Sequence, residues 1–116
     1  MNDRELLEMA AKAVGKKITK YPDQDGKYRV FSGEDTGWGP GDWNPLMDDG
    51  DALRLATSIG LRVQILLNDK PERTRVVFED DDWICSYTEF HGERGASEST
   101  RLAIVKAAAD IGISMP

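Results

Sequence analysis

Three aspartates, Asp48, Asp49 and Asp51, stand within four residues of one another, and Trp38, Trp43 and Asn44 lie just ahead of them. Clustered carboxylates can hold a cation, serve as acid and base in a hydrolysis, or accept backbone N–H bonds at the start of a helix. The spacing favours the third. Pro45 fixes its own φ and drives Asn44 toward an extended conformation, so the chain arrives extended at Trp43 and Asn44 and turns at or after Pro45. Asp48 is then placed as an N-cap, and Asp49 and Asp51 fall in the first turn, where negative charge meets the positive end of the helix dipole. A metal would call for His, Cys or regularly spaced acids, and the segment supplies none of them. The tryptophans have two roles open to them. They fold back as lids on the core, the usual fate of a Trp, or they present an aromatic, acidic surface to a basic, flat or protein partner. The candidate binding residues are therefore Trp38, Trp43, Asn44, Asp48, Asp49 and Asp51. No catalytic residue, metal ligand or cofactor is assigned.

Other short patterns carry less. Asp23-Gln24-Asp25-Gly26 has the look of a calcium loop, but with Gly26 in the sixth position the first and twelfth ligands would be Tyr21 and Ser32, so a hairpin turn is expected. His91-Gly92-Glu93 has the His-x-Glu spacing of zinc deaminases, which also require a later Pro-Cys-x-x-Cys, and no cysteine follows Cys85. His91, the single histidine, has no recognisable nucleophile partner and is expected to be a loop residue without a role. Cys85 alternates with Trp83 and Tyr87 and reads as a small buried hydrophobe. Gly37 to Gly41 is not a phosphate loop, because no Lys-Ser/Thr follows it. Asp80, Asp81 and Asp82 read as a solvated turn.

The elements that must position these residues follow from periodicity. Residues 3–14 form an amphipathic helix with Asn2 and Glu5 as a capping box, a stripe of Leu6, Leu7, Ala10, Ala11 and Val14, and a stop at Gly15. Ile18 to Tyr21 extends briefly, and Tyr28 to Phe31 is a short strand. Residues 32–46 hold four glycines and two prolines and exclude a helix or central strand. Ala52, Leu55, Ala56 and Ile59 make the stripe of the central helix, Leu53 widens it, and Gly60 closes it. Three alternating runs follow: Leu61, Val63, Ile65 and Leu67; Thr74, Val76 and Phe78; Trp83, Cys85 and Tyr87. Short turns between them imply an antiparallel meander. The third run carries bulk on both faces, which predicts a central strand or one partly covered on both sides. Ser97 or Ser99 is expected to cap a last helix whose close-packing face is Leu102, Val105, Ala108, Ala109 and Gly112. The class is α+β: an antiparallel sheet of three to four strands with three helices, on one face of the sheet or on both as an α/β/α sandwich.

Composition bounds the function. A chain of 116 residues is one domain that buries enough surface to need no staple. Fifteen basic against twenty-one acidic residues, net −6, disfavour a binder of nucleic-acid phosphates and suit a soluble cytosolic protein or a basic partner surface. Lys12, Lys16, Lys17 and Lys20 make one local basic cluster with no second to reinforce it. One cysteine fits a reducing compartment. No apolar run reaches the length of a membrane span, and the polar first residues are not expected to be a signal peptide.

The run Trp43-Asn44-Pro45-Leu46-Met47-Asp48-Asp49-Gly50-Asp51-Ala52-Leu53-Arg54-Leu55-Ala56 resembles a family of small phage proteins of unknown function, the phage α/β/α ("ABA") sandwich domain, distantly similar to NinX-type phage proteins. Arg101 to Gly112 is similar to that family's closing helix, and Met1 to Leu7 to its opening. The resemblance implies a sandwich fold, a phage or prophage origin and action in the host cytoplasm; it brings no activity or catalytic residues. Three functions follow in order of preference: a non-enzymatic accessory protein that binds a host or phage protein, a binder of a small nucleotide-like ligand using Trp38 and Trp43, and a hydrolase using Asp48, Asp49 and Asp51.

Overall fold

The computed structural model describes residues 1–32 and 42–115, and Trp38 lies outside them. The described chain is an α+β fold of three helices and two antiparallel sheets: α1 (Asp3–Ala13), β1 (Lys16–Ile18), β2 (Tyr28–Ser32), β3 (Asp42–Trp43), α2 (Asp49–Ile59), β4 (Arg62–Leu66), β5 (Arg73–Glu79), β6 (Ile84–Phe90) and α3 (Ala96–Ser114).

Local chemistry sets the first elements. The Asn2 side chain accepts the Glu5 N–H at 2.8 Å and starts α1. β1 and β2 pair through a turn in which Asp23 Oδ1 accepts the N–H groups of Asp25 and Lys27, while Gly26 takes a φ of 78°. β3 joins β2 with Trp43 opposite Tyr28, which completes a small sheet that periodicity did not announce.

The second sheet has the order β4-β5-β6, with Val63, Val76 and Tyr87 aligned across it. β5 is therefore the central strand and β6 an edge among the described strands, contrary to the reading of the third run as central or partly covered on both sides. One face of β6, with Cys85 and Tyr87, turns inward, but Ile84 and Phe90 on the other face are exposed. Gln64, Arg75, Ser86 and Thr88 on that outer face are exposed as well. Helix layers on both faces, the sandwich alternative, do not form among the described residues.

The helices stack on one side instead. α3 packs against β5 and β6 on one flank and against α1 and α2 on others. A helix in that position has to be apolar nearly all round. Ala103, Ile104, Val105, Ala107, Ala108 and Ala109 are all buried. Leu7 of α1, Val76 of β5 and Val105 of α3 are the large aliphatics fully enclosed in this core, each contributing roughly 2 kcal/mol by leaving water. The alanine stripe lets α1 come close, and at Gly112 the helices nearly touch, since a Cβ there would sit 1.9 Å from the Met9 carbonyl oxygen. The start of α3 differs from expectation. Its N-cap is Gly95, at φ 86°, with no side-chain cap bond, and Ser97 and Ser99 lie inside the first turn.

Candidate functional site

The aspartate segment folds as its spacing predicts. Asp48 is the N-cap of α2, its Oδ2 accepting the Asp51 N–H at 2.8 Å, and Gly60 closes the helix at φ 86°. Ahead of it, Asn44 builds a bend from both of its amide atoms. Oδ1 accepts the Leu46 N–H at 3.0 Å, and Nδ2 donates to the Gly26 carbonyl at 2.8 Å, tying the bend to the β1–β2 turn. Asp51 does more than complement a dipole. It is 4% exposed, its Oδ2 accepts the Asn44 N–H at 2.9 Å, and its Oδ1 accepts from Arg54 at 2.6 Å. Asn44 and Asp51 thus bind one another and hold the entry to α2. Trp43 is partly buried against the core, which is the lid role at that position.

Charge around this knot is balanced. The Asp51 N–H bond is the main reason the Asp48 carboxyl sits below its ordinary value; Lys27, Arg54 and Arg101 add to the lowering, while partial burial opposes it. Asp49, the exposed member of the trio, pairs with Arg101 at 2.7 Å, and Arg101 Nε also donates to the Leu46 carbonyl at 2.9 Å. The carboxylates are thus shared among backbone N–H groups, Lys27 and two arginines and do not converge on a common centre.

Beside Asp49 the surface opens into a groove of about 450 Å³ between α2, the first turns of α3 and β4. Asp49 and Arg101 form its polar rim, and Ala52, Leu53, Val63, Ile65 and Ile104 supply apolar walls. Leu53 is 63% exposed and Ile65 50%, with Val63 also open to water. Val63 and Ile65 do point to the helical side of the sheet, in register with Val76 and Thr74. Among the described residues no helix covers them, so residues expected to be buried are exposed apolar surface. Of the five candidate residues that are described, Asp49 alone reaches this groove; its apolar lining carried no signal in the sequence that would separate it from core.

His91 is not an idle loop residue. It is 4% exposed, and its Nε2 lies 2.8 Å from Thr74 Oγ1, which in turn lies 2.7 Å from Thr100 Oγ1. Its backbone N–H donates to the Glu72 carbonyl and its carbonyl accepts from Gly95 N–H. Nδ1 faces Glu72 Oε1 at 4.0 Å and has no hydrogen-bond partner among the described residues. Hydroxyl, imidazole and carboxylate follow the order of a hydrolase triad. Thr74, however, is completely enclosed, so no substrate carbonyl can reach its hydroxyl. The cluster is a tie between β5, the β6–α3 connection and α3. Cys85 is equally unsuited to attack, because burial first, and then its hydrogen bond to Asp110 at 3.5 Å, push its thiol up to about 11.

No protein-family model, no curated protein and no solved structure matches the chain.

Proposed function

We propose that the chain is a phage- or prophage-encoded accessory protein without enzymatic activity, which acts in the host cytoplasm by binding a host or phage protein through the groove between α2, α3 and β4. The observation that carries this reading is the exposure of Leu53, Val63 and Ile65 around one apolar depression with a paired Asp49–Arg101 rim. Contiguous exposed aliphatics with a polar margin are the anatomy of a protein-binding patch. The family resemblance of Trp43 to Ala56 supports the phage origin. Affinity capture from host lysate with wild-type protein and with Leu53→Asp tests it. Leu53 is largely in solvent, so the variant keeps its fold by circular dichroism, and the partner's recovery drops by about tenfold or more. Identical recovery by both proteins refutes the reading. The groove volume also lies in the range of small-ligand sites. A nucleotide-like ligand is therefore the second reading, and a metabolite that raises the melting temperature of wild type but not of Leu53→Asp would favour it.

A further inference from the structure

The groove opens onto a strand edge that no other described strand pairs with. Edge strands are normally defended by lysine, proline, a bulge or shortness. β4 has five residues, no lysine and no proline, and its only charge, Arg62, stands at one end. Ile65 and Val63 within it, and Leu67 just beyond, are exposed on the face that turns toward the helices.

The strand has a second property, which concerns its reading direction. Its helix-side residues are Leu61, Val63, Ile65 and Leu67, placed symmetrically about Gln64. Antiparallel pairing with an identical strand, centred on Gln64, sets Val63 opposite Ile65 and Leu61 opposite Leu67 of the second copy, so every helix-side pair is apolar. Arg62 then falls opposite Leu66 and not opposite its own image, so the strand's single charge meets no like charge. A closed two-fold contact demands this kind of self-complementarity. Leu53 stands on the same side, at the mouth of the groove.

Resting on the protein-binding reading of this face, we infer that its partner is a second copy of the chain, paired β4 to β4 into a continuous six-stranded antiparallel sheet. The exposed fractions of Leu53, Val63, Ile65 and Leu67 together amount to about two whole aliphatic side chains per copy. That is a small interface, of the class below about 1,200 Å² in total, which corresponds to a weak, concentration-dependent dimer.

Sedimentation velocity from about 1 to about 300 μM tests the inference, since this range brackets micromolar dissociation. Wild type shifts from monomer to dimer across it. Ile65→Lys, placed on an exposed position that tolerates the change, raises the dimer dissociation constant by roughly a hundredfold or more. Gln64→Cys reports the register: a residue on the two-fold faces its own image at the Cα spacing a disulfide needs, so mild oxidation gives a covalent dimer. Thr88→Cys, exposed on the opposite edge strand, stays monomeric under the same oxidation. A wild type that is monomeric throughout, or cross-linking through Thr88→Cys and not Gln64→Cys, overturns the inference. If the chain is monomeric while Leu53→Asp still loses a captured partner, pairing with a second copy fails and the protein-binding reading stands. If the β4 dimer forms and no other protein is ever captured, the reverse holds.

Discussion

Replacing Gly112 by alanine puts one methyl group into the close approach of α3 to α1. The new Cβ would lie 1.9 Å from the Met9 carbonyl oxygen, 2.8 Å from the Met9 carbonyl carbon and 3.4 Å from the Ala13 nitrogen. All three are backbone atoms of α1 or its end, so no side chain can rotate away. A carbon–oxygen approach settles at roughly 3.3 Å, so α1 and α3 must part locally by about 1.4 Å. A gap of that size forfeits about half or more of the dispersion well of each facing pair. The facing pairs belong to the α1–α3 contact, where Ala10 and Ala11 are completely buried. Overpacking of this kind costs about 1–3 kcal/mol, occasionally more. Helix propensity works the other way by up to about 1 kcal/mol, less here because Gly112 lies in the last turn of α3. The net expectation is a loss of about 2 kcal/mol, which lowers the melting temperature by roughly 8–10 °C in a domain of this size. Gly50→Ala is the matched control. Gly50 is in the first turn of α2, and a Cβ there meets only side-chain ends, Asp48 Oδ2 at 3.1 Å and the Arg54 guanidinium at 3.3 Å. Arg54 is largely in solvent and gives way, and Asp48 Oδ2, held by the Asp51 N–H, must yield by a few tenths of an ångström, so this variant loses under about 1 kcal/mol, less than Gly112→Ala. Calorimetric melting curves of the two variants decide the matter. A Gly112→Ala protein as stable as wild type would mean that α1 and α3 do not cross at this distance.

Asp51→Ala strands the buried Asn44 N–H and releases Arg54, costing about 2–3 kcal/mol in urea unfolding. Asp49→Ala removes only a partly solvated pair with Arg101 and costs under about 1 kcal/mol. Equal effects would mean that Asp51 is no more than a dipole complement. For Cys85, native protein at pH 8 reacts with iodoacetamide at least about a hundredfold more slowly than urea-unfolded protein. The thiol near 11 holds that much less thiolate than one at the ordinary 9.0. The stability consequence has a definite sign. The unfolded thiol loses its proton first, so stability falls as pH rises from about 9 and the loss levels off above about 11. Comparable alkylation of both states, followed by mass spectrometry, would put Cys85 at the surface.

What was legible in the sequence was whatever local chemistry decides. Asp48 caps α2 and Gly60 ends it because the φ, ψ and hydrogen-bond needs of a helix terminus involve only a few neighbouring residues. The turn at Asp23 to Gly26 and the bend at Asn44–Pro45 are local in the same sense. Asp51 was legible as a first-turn acid but not as a buried anchor, since its partner Asn44 N–H comes from the chain before the turn and only the folded bend brings the two together. His91 was misread for a similar reason. Its partner Thr74 is 17 residues away, Thr100 bonds Thr74 from 26 residues further on, and none of them carries a motif, so nothing in the spacing distinguishes a buried tie from a loop residue.

The groove was illegible for a reason that is geometric rather than chemical. Alternation shows which side of a strand faces the helices; it cannot show whether a helix is there. An α-helix with its side chains is about 10 Å across and strands are about 4.8 Å apart, so one helix covers about two strands. The chain leaves β6 and enters α3 after only five residues, which confines α3 to the β6 side of the sheet. It therefore covers β6 and β5, and touches β4, two strands away, only at its margin. Covering β4 would need a second helix on that flank, but α2 packs against α3 and stops at the rim. Val63 and Ile65 are left exposed by strand order and connection length, although their pattern is the same as that of Thr74 and Val76 next door. In this meander the single helix that follows β6 leaves the first strand largely uncovered for a reason independent of the residues that strand carries. An apolar first strand in such a topology is thus a stronger sign of an interaction surface than its composition alone would suggest.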